Sequence, residues 1–278
     1  MENLSKPILI PTDFTVIAQY AIELAVPLAR FTNSGIVLVH IVKKAIEIPD
    51  ATAKVELEAD RASRDHGVTV KGIVREGTIF TTIAETVTEL DASLVLMGTH
   101  GVKGMQKLTG SWALKVIVTS KVPIIVVQTN PRRRAIERIV FPIDYKRENR
   151  EKIGWAYYIA KMFNSKVFIL RAEHARDKKI EQGIRTNLAF TEKFLRSKNI
   201  DFDVTIAQGK ESFAKESLQF AEDLDADLIL IITTKFLSRV DFVLGPAEEG
   251  IITNNANIPV MCVNPRKGKI GGFSATGG

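Results

Sequence analysis

Four residues in one short stretch have the types and order of an anion cradle. After the apolar run Leu94–Met97 come Gly98, Gly101, Gly110 and Ser111, with Trp112 next. Glycines let a backbone come close to a bound group. A Gly-Ser pair opening a helix supplies free N–H groups, a hydroxyl and the positive end of the helix dipole. That is chemistry for holding phosphate, and Lys103 and Lys107 in the same loop add positive charge. Read without a ligand, the same residues form a glycine-rich strand-to-helix loop with Ser111 as helix cap. A second group, Pro11-Thr12-Asp13, ends the first apolar run, and Asp13 suits either a ligand contact or the N-cap of the following helix. A third, Val39-His40-Ile41, ends the second apolar run, where backbone groups beyond the ladder can read the edge of an adenine.

Several chemistries are excluded. The chain has no Gly-Lys-Ser or Gly-Lys-Thr ending a P-loop. Its glycine loop follows the fourth apolar run, whereas a dinucleotide fingerprint belongs after the first strand. Four histidines without ligand-like spacing argue against a metal centre. The candidate loops hold no paired carboxylates and no activated serine or cysteine. Catalysis is therefore expected to be at most a slow hydrolysis by an oriented water.

The elements that must position these residues follow from composition and repetition. The chain has 278 residues, 45% hydrophobic, with 38 Lys and Arg against 32 Asp and Glu, a formal charge of +6. This is a folded chain with a core rather than a disordered one. The excess charge is spread in short clusters, so no nucleic-acid surface is expected. The single cysteine, Cys262, lies in an apolar run and fits a reducing compartment. The first residues lack the pattern of a secretory leader, and no apolar stretch reaches the roughly eighteen residues of a membrane span. The expected location is cytoplasmic, away from membranes.

The sequence repeats itself. Ile8-Leu-Ile-Pro11-Thr12-Asp13 returns as Ile139-Val-Phe-Pro142-Ile143-Asp144, and Asn33-Ser34 returns as Asn164-Ser165 at the same offset of 131. Gly77 matches Gly209, Asp91-Ala matches Asp225-Ala, and Val122-Pro123 matches Ile258-Pro259 with the offset drifting to 136. Each copy alternates apolar strands with helix-periodic segments, which means a parallel sheet covered on both faces. The expected fold class is α/β: two tandem open doubly wound five-stranded parallel-sheet domains. The expected boundaries are 1–130 and 136–266, with a linker at 131–135 and a Gly-rich tail at 267–278. In such sheets ligands bind beyond the carboxyl ends of the strands, where strand order reverses.

The residues quoted above resemble the universal stress protein family. Its ATP-binding members carry Gly-x-x-Gly, nine residues, then Gly-Ser or Gly-Thr after the fourth strand. Gly98-Thr99-His100-Gly101 and Gly110-Ser111 match this with eight residues between the two pairs. Ile10-Pro11-Thr12-Asp13 and Val122-Pro123-Ile124-Ile125-Val126-Val127 are also family-like. The resemblance implies strand order 3-2-1-4-5 in each copy and ATP, with or without Mg²⁺, as ligand. It implies Pro11, Thr12, Asp13 and Ile41 around the adenosine, and Met97, Gly98 and Gly101 around the ribose and first phosphates. Gly110, Ser111 and the Trp112 backbone would hold the outer phosphates. It further implies pairing through the fifth strands, as an intramolecular pseudo-dimer or a homo-oligomer, and protein partners not identifiable from sequence. In the second copy Ile232-Thr233-Thr234-Lys235 replaces the first glycine pair and Gly245-Pro246 replaces Gly110-Ser111. One competent site, in the first half, is therefore expected beside a degenerate one. Two other readings stay open: a scaffold that acts only through protein partners, and a slow ATP hydrolase.

Overall fold

The computed structural model describes residues 6–99, 111–130, 135–233, 236–237, 242–243 and 245–265, with backbone alone at 111–113, 236–237, 242–243 and 246. The first half runs β1 (Ile8–Pro11), α1 (Val16–Thr32), β2 (Ile36–Val42), α2 (Ile48–His66), β3 (Val70–Glu76), α3 (Ile79–Glu89), β4 (Leu94–Gly98), α4 (Ser111–Thr119) and β5 (Ile124–Val127). The second half runs β6 (Arg138–Ile143), α5 (Ile153–Phe163), β7 (Lys166–Arg171), α6 (Lys178–Ser197), β8 (Phe202–Ile206), α7 (Phe213–Asp223) and β9 (Leu228–Ile232). A small antiparallel pair follows, β10 (Phe236–Leu237) with β11 (Phe242–Val243), then α8 (Pro246–Ile252) and β12 (Val260–Val263).

Ten strands form one sheet in the order β3-β2-β1-β4-β5-β12-β9-β6-β7-β8. Every pairing in it is parallel except the central one, where β12 meets β5 antiparallel with Met261 opposite Ile125. Each half thus has the order 3-2-1-4-5, and the two fifth strands pair inside the chain. A contact between chains must use another surface.

Inside its two outer strands the sheet is buried on both faces, which is why strands such as β1, β4, β5, β9 and β12 are apolar on consecutive residues rather than alternate ones. Ile8 and Ile10 point to one face with α1, α2, α5 and α6, while Leu9 points to the other with α3, α4, α7 and α8. The repeated residues outside the strands have a backbone reason. Asn33 and Asn164 sit at φ 50 and 54, closing α1 and α5, and Asp91 and Asp225 sit at φ 49 and 48 before β4 and β9. These are left-handed positions, which short polar side chains tolerate best after glycine.

The halves differ where helix meets edge strand. A Cβ on Gly72 would lie 2.7 Å from the Val55 carbonyl oxygen and 2.8 Å from its carbon. Glycine there lets the α2 backbone rest directly on β3. At the matching position of β8 stands Val204, and α6 lies chiefly over β6 and a 3₁₀ turn at Arg147–Arg150, reaching β8 with Arg196 over the Phe202 ring.

Candidate functional site

β1 pairs with β2 along its whole length, but with β4 only at Ile8–Leu94 and Leu9–Val95. Past that point the two strands part at their carboxyl ends. The N–H groups of Ile8 and Thr12 go to β2, bonding Gly35 and Val39, while the Pro7 carbonyl accepts from Ser93 ahead of β4. By this alternation the Pro11 carbonyl faces the β4 side of the opening, and proline at that place removes no ladder donor. On the other wall β4 stays paired with β5 to Gly98, and Thr99 N–H donates to the Val127 carbonyl at 2.8 Å. Pro11–Asp13 and Met97–Gly98 therefore flank one crevice. Ile41 packs on the same sheet face as the buried Met97. α4 starts at Ser111 and carries no acidic residue in its first turn, so its positive pole is not matched from within that turn. The Ser111 and Trp112 backbones belong to this start. Gly101, Gly110, Lys103 and Lys107 lie outside the described residues.

The turn after β1 corrects the reading of Asp13 as an N-cap. The cap is Thr15, whose Oγ1 accepts from Ala18 N–H, because α1 begins only at Val16. Asp13 Oδ1 instead accepts from the Thr15 N–H at 3.1 Å and the Thr15 hydroxyl at 2.5 Å, and its carboxylate is exposed to solvent. Phe14, between them, has φ 62, a sparsely populated conformation for a bulky residue.

Three contacts brace this turn. The buried Thr12 hydroxyl accepts from Phe14 N–H at 3.1 Å and donates to Glu58 Oε2 at 3.0 Å. His40 Nδ1 donates to the Thr12 carbonyl at 2.8 Å, which fixes the proton on that nitrogen. The Phe14 ring lies 4.5 Å from the His40 ring. Burial pushes the Glu58 carboxyl above its ordinary value, with the Thr12 bond opposing. A carboxyl raised in the folded state binds protons more tightly there, so its contribution falls as pH rises from about the unfolded value. Glu58→Gln, which keeps an acceptor for Thr12, is expected to gain stability relative to the parent at pH 7 compared with pH 4. Thermal melts at the two pH values check this, and an unchanged difference between them counts against it. Neither Glu58 nor the Phe14 conformation was anticipated from sequence. The available hint was a carboxylate beside the apolar stripe Val55, Ala59 and Ala62 of α2.

Gly98 has a packing reason of its own. A Cβ there would lie 3.0 Å from the Ile17 carbonyl carbon, its oxygen and its Cγ2. The glycine lets the first turn of α1 lie on β4. In the second half α5 starts at Ile153, after the 3₁₀ turn, and the matching β9 residue is Ile232. The match is fixed by Thr233 N–H, which donates to Val263 at 2.9 Å as Thr99 does to Val127.

The second crevice is constructed alike and furnished differently. β6 pairs with β9 only at Ile139–Leu228 and Val140–Ile229. Asp227 N–H bonds the Arg138 carbonyl, so the Pro142 carbonyl faces the opening. Lys152, only 1% exposed, brings its Nζ to 2.5 Å from that carbonyl and 4.5 Å over the Phe141 ring. Ala21 is its counterpart in the first half and is too short to do this. Burial pulls the Lys152 ammonium down to about 7, against the nearby Asp144 carboxylate, which favours the charge. Asn187 of α6 donates to the carbonyls of Asp144 and Lys146, both at 2.9 Å. Glu248, in the first turn of α8, approaches Lys146 Nζ at 3.9 Å and puts a negative charge at that helix's positive pole.

Among the described residues no helix is long and apolar enough to cross a membrane. The family model described as "Universal stress protein family" matches residues 5–128. The universal stress protein Sll1654 of Synechocystis sp. is 29% identical over 134 residues, 44% of this chain and 85% of that protein. A universal stress protein from Archaeoglobus fulgidus DSM 4304, a solved structure, superposes with TM-score 0.78 at 18% identity, covering 96% of this chain and all of that one. A functionally unknown protein from Pseudomonas aeruginosa PAO1 superposes with TM-score 0.68 at 17% identity, covering 94% and 92%. At these identities the two structures establish a common fold over both halves.

Proposed function

We propose that this chain, which carries a universal stress protein domain over residues 5–128, binds ATP in the β1–β4 crevice of its first half. It would act there as a nucleotide-dependent regulator or sensor in the stress response. The observation that carries the reading is the parting of β1 from β4, which leaves Pro11–Asp13 and Met97–Gly98 on two sides of one opening. The N–H groups at the α4 start, Ser111, would meet the phosphates. In this reading Pro11, Thr12, Asp13 and Ile41 meet the adenosine, Met97, Gly98 and Gly101 the ribose side, and Gly110, Ser111 and Trp112 the outer phosphates with Mg²⁺. The Thr12 network with His40 and Glu58 holds the Asp13 turn from the opposite sheet face.

The second crevice supports a single site per chain, because Lys152 takes up the Pro142 carbonyl on the side where Pro11 would meet the adenosine, while Ile232 stands in place of Gly98 and Glu248 opposes a phosphate at the α8 start. The two units of the proposal are 1–130 and 136–266. A reducing compartment, the cytoplasm, suits Cys262, whose thiol is buried and pushed up by that burial into an unreactive state.

One observation favours a scaffold without nucleotide: the Ile17 contact alone is reason enough for glycine at position 98. Calorimetric titration of nucleotide-free protein with ATP and Mg²⁺ separates the two. Saturable binding near one site per chain is expected, weakened at least tenfold in a Gly110→Val, Ser111→Val double variant. No heat of binding in the parent protein would transfer the function to protein partners.

A further inference from the structure

Because β5 and β12 pair with each other, the ten-stranded sheet is left with two outer strands, β3 and β8. They are not alike. β3 lies under α2, which the missing side chain of Gly72 admits, and its edge carries Lys71, with Arg75 paired to Glu89 at 2.7 Å. Long cationic side chains are a common guard against edge-to-edge pairing. On β8 the matching residue is Val204; Arg196 of α6 covers the Phe202 ring, 5.0 Å from its centroid, but Val204 and Ile206 remain 37% and 46% exposed on one face.

The hydrogen-bonding groups of β8 have a definite direction. Val167 N–H donates to the Asp201 carbonyl and Ala207 N–H to the Arg171 carbonyl, both at 2.9 Å. In a parallel ladder this turns the odd-numbered residues toward β7 and leaves Phe202, Val204 and Ile206 with N–H and C=O directed outward. The guarding charges are already satisfied on the protein's own side: Lys166 Nζ stands 3.0 Å from Asp203 and 3.5 Å from Asp201.

We infer that β8 is the docking edge for a second copy of this chain, joined antiparallel about Val204. Self-complementarity selects that occupant. Centred there, Val204 faces the partner's Val204, and Phe202 faces the partner's Ile206, with the outward N–H and C=O groups in register. Asp203 then faces the partner's Thr205, so no aspartate meets another. The apolar stripe of Phe202, Val204 and Ile206 becomes continuous across the junction, and two ten-stranded sheets become one.

The test uses the full chain in sedimentation equilibrium from about 1 µM to about 1 mM, a range that brackets weak self-association. The mass is expected to rise with concentration from 30.8 kDa toward twice that value. Val204→Pro removes an outward N–H and spares the ladder to β7, as edge strands permit, and Val204→Lys places like charges face to face. Each is expected to weaken association at least tenfold, with circular dichroism and melting confirming the fold. Should the proline variant unfold, the lysine variant and hydrogen exchange decide. Amides of Phe202, Val204 and Ile206 are expected to exchange more slowly in concentrated than in dilute protein. A mass of 30.8 kDa throughout, or association unchanged in Val204→Lys with no exchange difference, overturns the inference.

Discussion

Replacing Lys152 by methionine is expected to raise the melting temperature by about 4–8 °C at pH 6.5, a gain of about 2 kcal/mol. The charged ammonium is fully enclosed, and its displacement from 10.5 to about 7 measures how strongly the interior disfavours it. That displacement corresponds to a penalty on the order of 5 kcal/mol at low pH. The substitution forfeits the charged bond to the Pro142 carbonyl and the approach to the Phe141 ring, about 1.5 kcal/mol each. The direction with pH is definite. Between about 7 and 10.5 the unfolded chain binds the proton that the folded chain has released, so the parent protein gains stability as pH rises through that window. The methionine variant lacks this gain, and its advantage should shrink by pH 9.5. Melting curves at the two pH values test it, and a variant less stable than the parent at pH 6.5 would show the ammonium to be a net support.

Gly72→Val is expected to cost about 3 kcal/mol, a fall of roughly 6–12 °C in melting temperature. The atoms in the way are the Val55 carbonyl group and the Glu56 nitrogen, main-chain atoms of α2 that no rotamer change can remove. The helix has to lift from β3, taking Val55 and Ala59 out of the core they fill. Faster hydrogen exchange in both α2 and β3 is expected beside the lower melting temperature. Retention of the parent's melting point would mean that α2 rides over the edge strand with room to spare.

Much of the architecture could be read from the repeat, and for a physical reason. The residues that recur, Asn33 with Asn164 and Asp91 with Asp225, are those whose backbones turn left-handed, so chemistry constrains them in both copies. Apolar runs such as Leu94–Met97 and Leu228–Ile232 are strands buried on both faces, which leaves little freedom of type. The crevice was foreseeable too, since the strand order 3-2-1-4-5 puts β1 beside β4. What escaped depends on distant partners. Thr12 meets Glu58 across 46 residues, and neither residue's neighbours announce the other. Lys152 reads as an ordinary helix-start lysine and becomes exceptional only because a 3₁₀ turn replaces the first turns of the helix in that half. Of the two roles open to Asp13, the cap falls away because the unusual conformation of Phe14 delays the helix to Val16, and nothing local marks a phenylalanine for φ 62. Gly98 was legible as a close approach, but the approaching group in the structure is Ile17.

The central β5–β12 pairing also carries a consequence for synthesis. The first half reaches Val127 with its fifth strand, Ile-Ile-Val-Val, as an open apolar edge, and the strand that closes it starts only at Val260. At ribosomal rates that interval lasts on the order of 10 s. For that time every nascent chain presents the kind of edge that recruits neighbouring chains. Yield in the cell should therefore depend on how quickly the second half emerges, and slow translation through residues 136–259 should raise aggregation without altering the stability of the finished protein.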